Sequence, residues 1–241
     1  MADIVKAINI REEYFKLKAQ GIYRYHLIDK LRECGFESIE QFEEEERIYR
    51  LSLVKFNYVE QPMPGGVAEI FKMIKSNKPG VLFVDWEDTY VVCGDAGMKS
   101  FNEEYCKENN ITVFPLYSPG GSIVGSKGDF SFGVCTPLRA KADAWFILNQ
   151  VRAIIQRHTD LAVTVEGNDI LVDNKKICGS AFYQGNNVLM VIMHFSFEDW
   201  SELISHICRP NKVGKPVSYI NFMTRQEFKQ EVKRWLRLDS I

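Results

Sequence analysis

The most constraining stretch of the chain, residues 167–196, reads as three short strands separated by two turns. The first strand alternates polar and apolar side chains, and the Asp173-Asn174 pair after it is typical of a tight turn. The chain then runs back, and a Gln-Gly-Asn-Asn turn precedes a closing apolar strand. Neighbouring strands of such a unit lie about 4.8 Å apart. We therefore expect Lys176, in the second strand, to be held on a rigid element.

Gly179 stands three residues after Lys176 and has no side chain, so a ligand can approach the backbone there. A lysine pair on a hairpin is most often solvated, because lysine is mostly exposed in proteins. The motifs around Lys176 are more particular than this general expectation, and they favour a functional role for it.

Three sequence blocks in this stretch resemble, in order and spacing, the lipoate-protein ligase members of the biotin/lipoate protein ligase family. Those proteins carry Asn-Asp, then Lys-(Ile/Val)-Ser-Gly-Ser-Ala, then His-Gly-(Thr/Ser). The corresponding blocks here are Asn168-Asp169, Lys176-Ile177-Cys178-Gly179-Ser180-Ala181 and His194-Phe195-Ser196. The resemblance extends over residues 80–237, and residues 1–50 have no counterpart in it.

A glycine-containing segment upstream also resembles the family but departs from its pattern. The family places Arg-Arg-x-Ser-Gly-Gly-Gly here, whereas this chain has Leu116-Tyr117 in place of the arginines. Gly120 and Gly121 are present, and Ser122 replaces the third glycine. Glycines let backbone N–H groups approach an acyl chain or a phosphate. Leucine and tyrosine cannot replace the forked donor of arginine, so we expect the ordinary substrate or nucleotide contacts to differ.

The resemblance implies a two-step reaction. A carboxylic acid such as lipoate attacks the α-phosphate of ATP, and the acyl-adenylate then acylates a lysine of a carrier protein. Lys176 is implied to be the catalytic residue, acting with Mg²⁺ on the acyl carboxyl and the α-phosphate oxygens. The residues implied to bind substrate or nucleotide are Gly120, Gly121, Ser122, Asn168, Asp169, Gly179, Ser180 and His194, and Asp169 is also the implied metal ligand.

Cysteine chemistry is an alternative to ATP-dependent ligation. Cys178 stands where the ligases have serine, and the neighbouring Lys176 would lower its pKa, as a Cys-dependent octanoyl or lipoyl transferase requires. A buried, inert cysteine is the competing interpretation. His194 is interpreted as structural or as a hydrogen-bonder of the pocket, because the sequence shows no Asp or Ser motif that partners it.

A non-catalytic relative that binds a ligand or a partner protein is a further alternative, since the paired arginines are missing. In that case the front helices would serve as a docking piece. Two short helices in this position can also form a DNA-binding pair, but the acidic character of this pair argues against contact with phosphates.

Composition excludes several classes of protein. The 241 residues are 46% apolar and 26% charged, as in an ordinary soluble globule. A net charge of -2 creates no general field for nucleic acid, and no apolar run reaches the roughly 20 residues of a membrane span. The six cysteines form no Cys-x-x-Cys pair, and the start lacks a secretory pattern. We expect a cytoplasmic protein with no nucleic-acid or membrane partner.

The pattern of helices and strands predicts an α+β fold, with a mixed, mostly antiparallel sheet flanked by helices. The resemblance places it among the class II synthetase/biotinyl-lipoyl ligase-like folds. Residues 81–84 and 90–93 are predicted strands joined by Trp86-Glu87-Asp88.

Residues 1–60 are predicted to be an N-terminal helical extension. Within it, Ser38 is expected to cap a helix with Gln41 as its capping-box partner, and residues 51–59 alternate like a strand. A Gln-Pro-Met-Pro-Gly-Gly segment then breaks the chain. Residues 61–241 are predicted to form the lipoate-protein ligase-like catalytic domain.

Overall fold

The structure, a computed structural model, describes residues 3–18, 25–115, 121–137, 141–184, 188–209 and 215–238 of the 241-residue chain. The chain divides into two compact units, Met1–Val54 and Lys55–Ile241, and each has an apolar interior of its own. Within the described ranges, no helix combines the length and apolar character needed to cross a membrane.

The first unit contains the helices α1 (Ile4–Lys18), α2 (Tyr25–Arg32) and α3 (Ile39–Ser52). The Ser38 hydroxyl accepts a 3.0 Å hydrogen bond from the backbone N–H of Gln41, which confirms the predicted cap of α3. The Gln41 side chain accepts in turn from the backbone N–H of Glu37, one residue before the position that a capping box uses. The interior of this unit consists of Ala7, Leu27, Leu31, Cys34, Phe36 and Phe42.

The second unit contains ten strands and five helices within its described residues. In chain order they are β1 (Asn57–Pro62), α4 (Gly65–Ser76), β2 (Gly80–Asp85), β3 (Tyr90–Cys93), α5 (Glu103–Glu108), β4 (Thr112–Pro115), β5 (Ser122–Gly125), β6 (Phe130–Thr136), α6 (Lys141–Gln156), β7 (Val163–Glu166), β8 (Asp169–Val172), β9 (Lys175–Gln184), β10 (Leu189–Phe195), α7 (Ser201–Ile207) and α8 (Arg225–Leu236).

Seven of these strands form the main sheet, in the order β1-β2-β6-β10-β9-β8-β7. The pair β1 and β2 is parallel, and the other neighbouring pairs are antiparallel. Helix α4 packs against β1 and β2, and α6 packs against β7, β10 and α8. The predicted α+β class, with a mixed and mostly antiparallel sheet flanked by helices, is confirmed.

A second sheet of three strands, in the order β4-β3-β5, stands beside the main one. Strand β3 is parallel to β4 and antiparallel to β5. One side of this sheet shares an apolar cluster with α5 and α7, formed by Val91, Cys93, Phe101, Cys106 and Ile207. The small sheet is therefore held in place by its packing against α5 and α7.

The three-strand unit predicted at residues 167–196 is confirmed as β8, β9 and β10. Asp173 and Asn174 connect β8 to β9 with φ angles of 49° and 61°. Aspartate and asparagine tolerate this left-handed region better than most residues, so the two-residue turn forms with little strain. The turn that was predicted at residues 184–187 lies largely outside the described residues.

One local prediction differs from the structure: the strand predicted at 51–59 begins at Asn57, because α3 continues through Ser52. The strands predicted at 81–84 and 90–93 are present as β2 and β3. They belong to different sheets, since β2 lies between β1 and β6 while β3 is central in the small sheet. The structural division after Val54 and the predicted boundary near residue 60 thus differ by the start of β1, which belongs to the main sheet.

Candidate functional site

Lys176 lies on β9 beside Asp169 of β8. The Lys176 Nζ is 2.8 Å from Asp169 Oδ1, and the two side chains are 35% and 22% exposed. The register of the two strands pairs Asp169 with Gly179, with a shift between Ile170 and Leu171. A Cβ built on Gly179 would lie only 3.1 Å from the lysine nitrogen. The glycine therefore leaves the room in which the lysine lies.

A cavity of about 480 Å³ opens beside this ion pair. Apolar groups and glycine line much of it, namely Ala96, Gly97, Ile123, Val124, Ile177, Ile204 and Val217. Polar side chains in the lining come from Ser100, Ser122, Asp169, Lys176, His194, Ser196 and Lys215. A largely apolar hollow with a few convergent polar groups is the usual form of a small-molecule site.

The structure brings most of the predicted site residues to this cavity. Those in its lining are Gly121, Ser122, Asp169, Lys176, Gly179 and His194. Asn168 and Ser180 lie outside the lining. The Ser180 hydroxyl donates a 2.6 Å hydrogen bond to the Asn168 carbonyl oxygen, and the Ser180 backbone N–H donates a second at 2.8 Å. These two residues thus hold the start of β8 to β9. Gly120 lies outside the described residues.

Ser122, which replaces a family glycine, is hydrogen-bonded to the segment before α5. Its hydroxyl donates to the Gly97 carbonyl oxygen at 3.0 Å and lies 2.8 Å from the Ser100 hydroxyl. The Gly94 N–H donates to the Gly121 carbonyl oxygen at 2.9 Å. A Cβ on Gly97 would lie 2.3 Å from the Ser122 hydroxyl, so this close approach requires a glycine. Side-chain and backbone hydrogen bonds therefore connect the cavity wall formed by β5 to the segment before α5.

His194 lies on β10, is buried, and has partners that the sequence did not indicate. Its Nδ1 is 2.9 Å from the Ser131 hydroxyl, which also accepts a 2.9 Å hydrogen bond from Trp86 Nε1–H. Its Nε2 is 3.4 Å from Asp129 Oδ2. The sequence shows no Asp or Ser motif beside His194, and the structure brings both partners from distant positions. Ser131 lies 63 residues away in sequence and meets the histidine through the pairing of β6 with β10.

The donors around His194 determine how its ring is used. An indole N–H only donates, so the Ser131 hydroxyl accepts from Trp86 and can donate its own hydrogen to Nδ1. In a neutral ring the proton then lies on Nε2, on the side of Asp129. Within the described residues, Nε2 makes no hydrogen bond. Both ring nitrogens therefore face buried protein groups, which suits a structural histidine better than a general base.

Lys215 is a site residue that sequence reasoning missed. Its Nζ lies 3.0 Å from Glu166 Oε2 and 3.5 Å from Asp169 Oδ2. Burial by itself would lower the pKa of Lys215, but the hydrogen bond to Glu166 and the charges of both carboxylates outweigh it and raise this pKa. No motif marked this lysine, because it lies far from Lys176 in the sequence.

The cysteines at the cavity differ in access. Cys178 is buried, and burial raises the pKa of its thiol despite the opposing charge of Lys176. This agrees with the interpretation of Cys178 as an inert core residue and weighs against it as a nucleophile. Cys208 is partly exposed in the lining, and burial raises the pKa of its thiol as well, again opposed by Lys176.

Asp169 is the only carboxylate in the described lining. Within the described residues, no group of three or more His, Cys, Asp or Glu side chains could hold a metal ion without other ligands. Mg²⁺ is commonly held by one or two carboxylates together with substrate phosphates and water, so a single aspartate fits an ion that arrives with a nucleotide. The site does not resemble a resident, all-protein metal centre.

Comparison with known proteins gives a consistent picture of the fold. A family model described as the lipoyl protein ligase A/B catalytic domain matches residues 68–236. No curated protein matches the chain.

Several solved structures share the fold at low sequence identity. Lipoate-protein ligase A bound with ATP is 17% identical with a TM-score of 0.64, and the match covers 77% of this chain and 85% of that one. A bi-partite lipoate protein ligase from Thermoplasma acidophilum, described with its E2 lipoyl domain, is 16% identical with a TM-score of 0.63, covering 77% and 83%. P. falciparum LipL1 in complex with lipoate is 14% identical with a TM-score of 0.61. This match covers 77% of the present chain but only 63% of LipL1.

Proposed function

The chain belongs to the family of lipoyl protein ligase A/B catalytic domains, and from this premise we propose that it is an ATP-dependent ligase for lipoate or a related carboxylic acid. In this proposal the acid is activated as an acyl-adenylate and the acyl group is transferred to a lysine of a carrier protein. The observation that carries the proposal is the amine of Lys176, held by Asp169 at the wall of a largely apolar cavity.

In the first step a carboxylate oxygen of the acid forms a bond to the α-phosphorus of ATP, and the bond to the β-phosphate oxygen breaks to release pyrophosphate. Two anions approach each other in this step, so positive charge must be present where their oxygens meet. Lys176 supplies such a charge on a rigid strand. The apolar wall excludes water, which strengthens the electrostatic interaction and protects the adenylate from hydrolysis.

In the second step the amine of the acceptor lysine attacks the acyl carbonyl carbon. A C–N bond forms, the bond to the phosphate oxygen of AMP breaks, and the amine loses a proton. Lys176 stabilises the negative charge on the departing AMP phosphate. His194 lies in the lining of the cavity, where the Ser131 hydroxyl fixes the orientation of its ring.

Structural relatives support the choice of ligands and partner. Among them are complexes with lipoate and with ATP, and one ligase is described together with an E2 lipoyl domain. We propose the same classes for this chain: lipoate or a similar acid, ATP, and a lipoyl-acceptor carrier protein. Mg²⁺ would neutralise part of the phosphate charge when bound, and Asp169 is the cavity residue suited to hold it.

The test is release of pyrophosphate with lipoate, octanoate or biotin as the acid. The substitution Lys176→Ala removes the charge-stabilising amine and is expected to lower turnover by about 100-fold or more. Lys175→Ala is the matched control, because Lys175 is the exposed neighbour on the same strand. Unchanged turnover in Lys176→Ala would contradict the catalytic role of this lysine. If the unmodified protein released no pyrophosphate with any of the three acids, the proposed ligase function would be wrong.

A non-catalytic binding protein is the second candidate function. It is favoured by the absence of the arginine pair, since Leu116 and Tyr117 stand at those positions in the sequence. Binding of lipoate or ATP that raises the melting temperature, with no pyrophosphate released in the presence of both, would identify this alternative.

A further inference from the structure

The segment Lys215–Ser218 runs beside β9 and is hydrogen-bonded to the backbone of Lys176 on both sides. The Lys176 N–H donates to the Pro216 carbonyl oxygen at 2.8 Å, and the Ser218 N–H donates to the Lys176 carbonyl oxygen at 2.8 Å. Lys176 and Val217 form a parallel bridge. Backbone pairing therefore fixes the position of Lys215 next to Lys176, independently of the conformation of its long side chain.

The two lysines share one carboxylate. Asp169 presents Oδ1 to Lys176 at 2.8 Å and Oδ2 to Lys215 at 3.5 Å. We call Lys176 and Lys215 the lysine pair. Of the residues in the described cavity lining, these two are the only ones with a lysine or arginine side chain.

The other described contacts of Lys215 are both with Glu166 and lie at the protein surface. Its Nζ donates to the Glu166 carbonyl oxygen at 3.2 Å and lies 3.0 Å from the Glu166 carboxylate, whose side chain is 55% exposed. Exposed ion pairs contribute little to stability, so a more highly charged anion can replace this one. In the structure described, Asp169 lies between the two amines and orients both.

We propose that the lysine pair binds the phosphate chain of the nucleotide, with Lys215 as a phosphate-binding residue that takes the place of the absent arginines. The proposal rests on the ligase function proposed above. A carboxylic acid carries one negative charge and is matched by Lys176 alone, whereas a triphosphate carries several and is matched by two amines. Lys215 is therefore assigned to the nucleotide and not to the acid.

The test compares Lys215→Gln and Lys215→Arg with the control Lys175→Gln, in the full chain. Affinities for MgATP and for lipoate are measured separately by calorimetry, together with the melting temperature. Loss of a hydrogen bond between charged groups is expected to weaken MgATP binding by about 10- to 100-fold in Lys215→Gln. Lipoate binding stays unchanged, Lys215→Arg recovers most of the affinity for MgATP, and Lys175→Gln behaves like the unmodified protein.

Turnover separates this proposal from the ligase function. If the protein releases pyrophosphate and Lys215→Gln keeps the same KM for ATP, the role of Lys215 is overturned while the ligase stands. If MgATP binds through Lys215 but no pyrophosphate is released, the role of Lys215 is supported and the proposed ligase function is contradicted. Absence of MgATP binding in the unmodified protein overturns the role of Lys215. Equal loss of MgATP and lipoate affinity with a lowered melting temperature also overturns it, since that result means a structural role.

Discussion

At the scale of single residues, the candidate site depends on two glycines, because the missing side chain of each leaves room for a neighbouring polar group. Gly179 has no side chain, and the volume that a side chain would fill is taken by the end of Lys176. Gly97 makes the same kind of room for the hydroxyl of Ser122. In both places a close approach requires the glycine, so these two positions are sensitive to the smallest possible substitution.

The substitution Gly179→Ala tests this packing. The new Cβ would lie 3.1 Å from Lys176 Nζ and 3.2 Å from its Cε, so the lysine must move by a few tenths of an ångström. Misplacement of a charge-stabilising group is costly for catalysis, and we expect turnover to fall by about tenfold with little change in melting temperature. Pyrophosphate release and thermal denaturation measure the two effects. Turnover equal to that of the unmodified protein would mean that the lysine position is not critical.

At the scale of elements, the strands β8, β9 and β10 carry Asp169, Lys176 and His194, and helices pack against the sheet that these strands belong to. Helix α4 packs closely on β2, and its second residue, Gly66, is buried against Val84. The first residue, Gly65, is exposed. These adjacent glycines experience opposite environments, which provides a matched pair for testing the packing of α4.

We expect Gly66→Ala and Gly65→Ala to change the free energy of unfolding in opposite directions. A Cβ on Gly66 would lie 2.6 Å from both γ-carbons of Val84, so overpacking should destabilise the protein by about 1–3 kcal/mol. A Cβ on Gly65 meets only the Gln61 side chain, at 3.5 Å, and restriction of the unfolded chain should stabilise by about 0.4–1 kcal/mol. Equilibrium unfolding in urea measures both, and shifts in the same direction would contradict the packing.

At the scale of the whole molecule, carboxylates on or beside the C-terminal helix α8 make the stability of the folded protein depend on pH. A hydrogen bond from Arg157, at 2.7 Å, lowers the pKa of Glu231. The backbone N–H of Thr224 lowers the pKa of Glu227 in the capping box that begins α8. Burial alone would raise the pKa of Glu60, but the hydrogen bond from Lys229 reverses this and lowers it.

These shifts predict acid destabilisation. A carboxylate whose pKa is lower in the folded protein contributes stability above its unfolded pKa of 4.5, and this contribution is lost as the pH falls through the folded value. We therefore expect the melting temperature to decrease as the pH is lowered below 4.5. In the variant Glu231→Gln this decrease should be smaller. Glu108→Gln, an exposed position of α5, is the control. Equal acid slopes for Glu231→Gln and the unmodified protein would contradict the contribution of this carboxylate.

The local parts of this protein could be predicted from its amino-acid sequence. Alternating side chains and the Asp173-Asn174 turn predicted the strands that carry Lys176, because strand periodicity and turn geometry depend on neighbours in the chain. The motif around Gly179 indicated a family, and the family implied the α+β class and most of the predicted residues that line the cavity.

The distant residues that complete the site were not predictable in this way, because they meet it through long-range strand pairing. Ser131 reaches His194 through the pairing of β6 with β10, and Lys215 reaches Asp169 through the pairing of its segment with β9. Such contacts depend on sheet order and register, which no local pattern encodes. Asn168 and Ser180, adjacent in the motif to cavity residues, lie outside the lining because they are hydrogen-bonded to each other across the start of β8, a contact that the local sequence does not reveal.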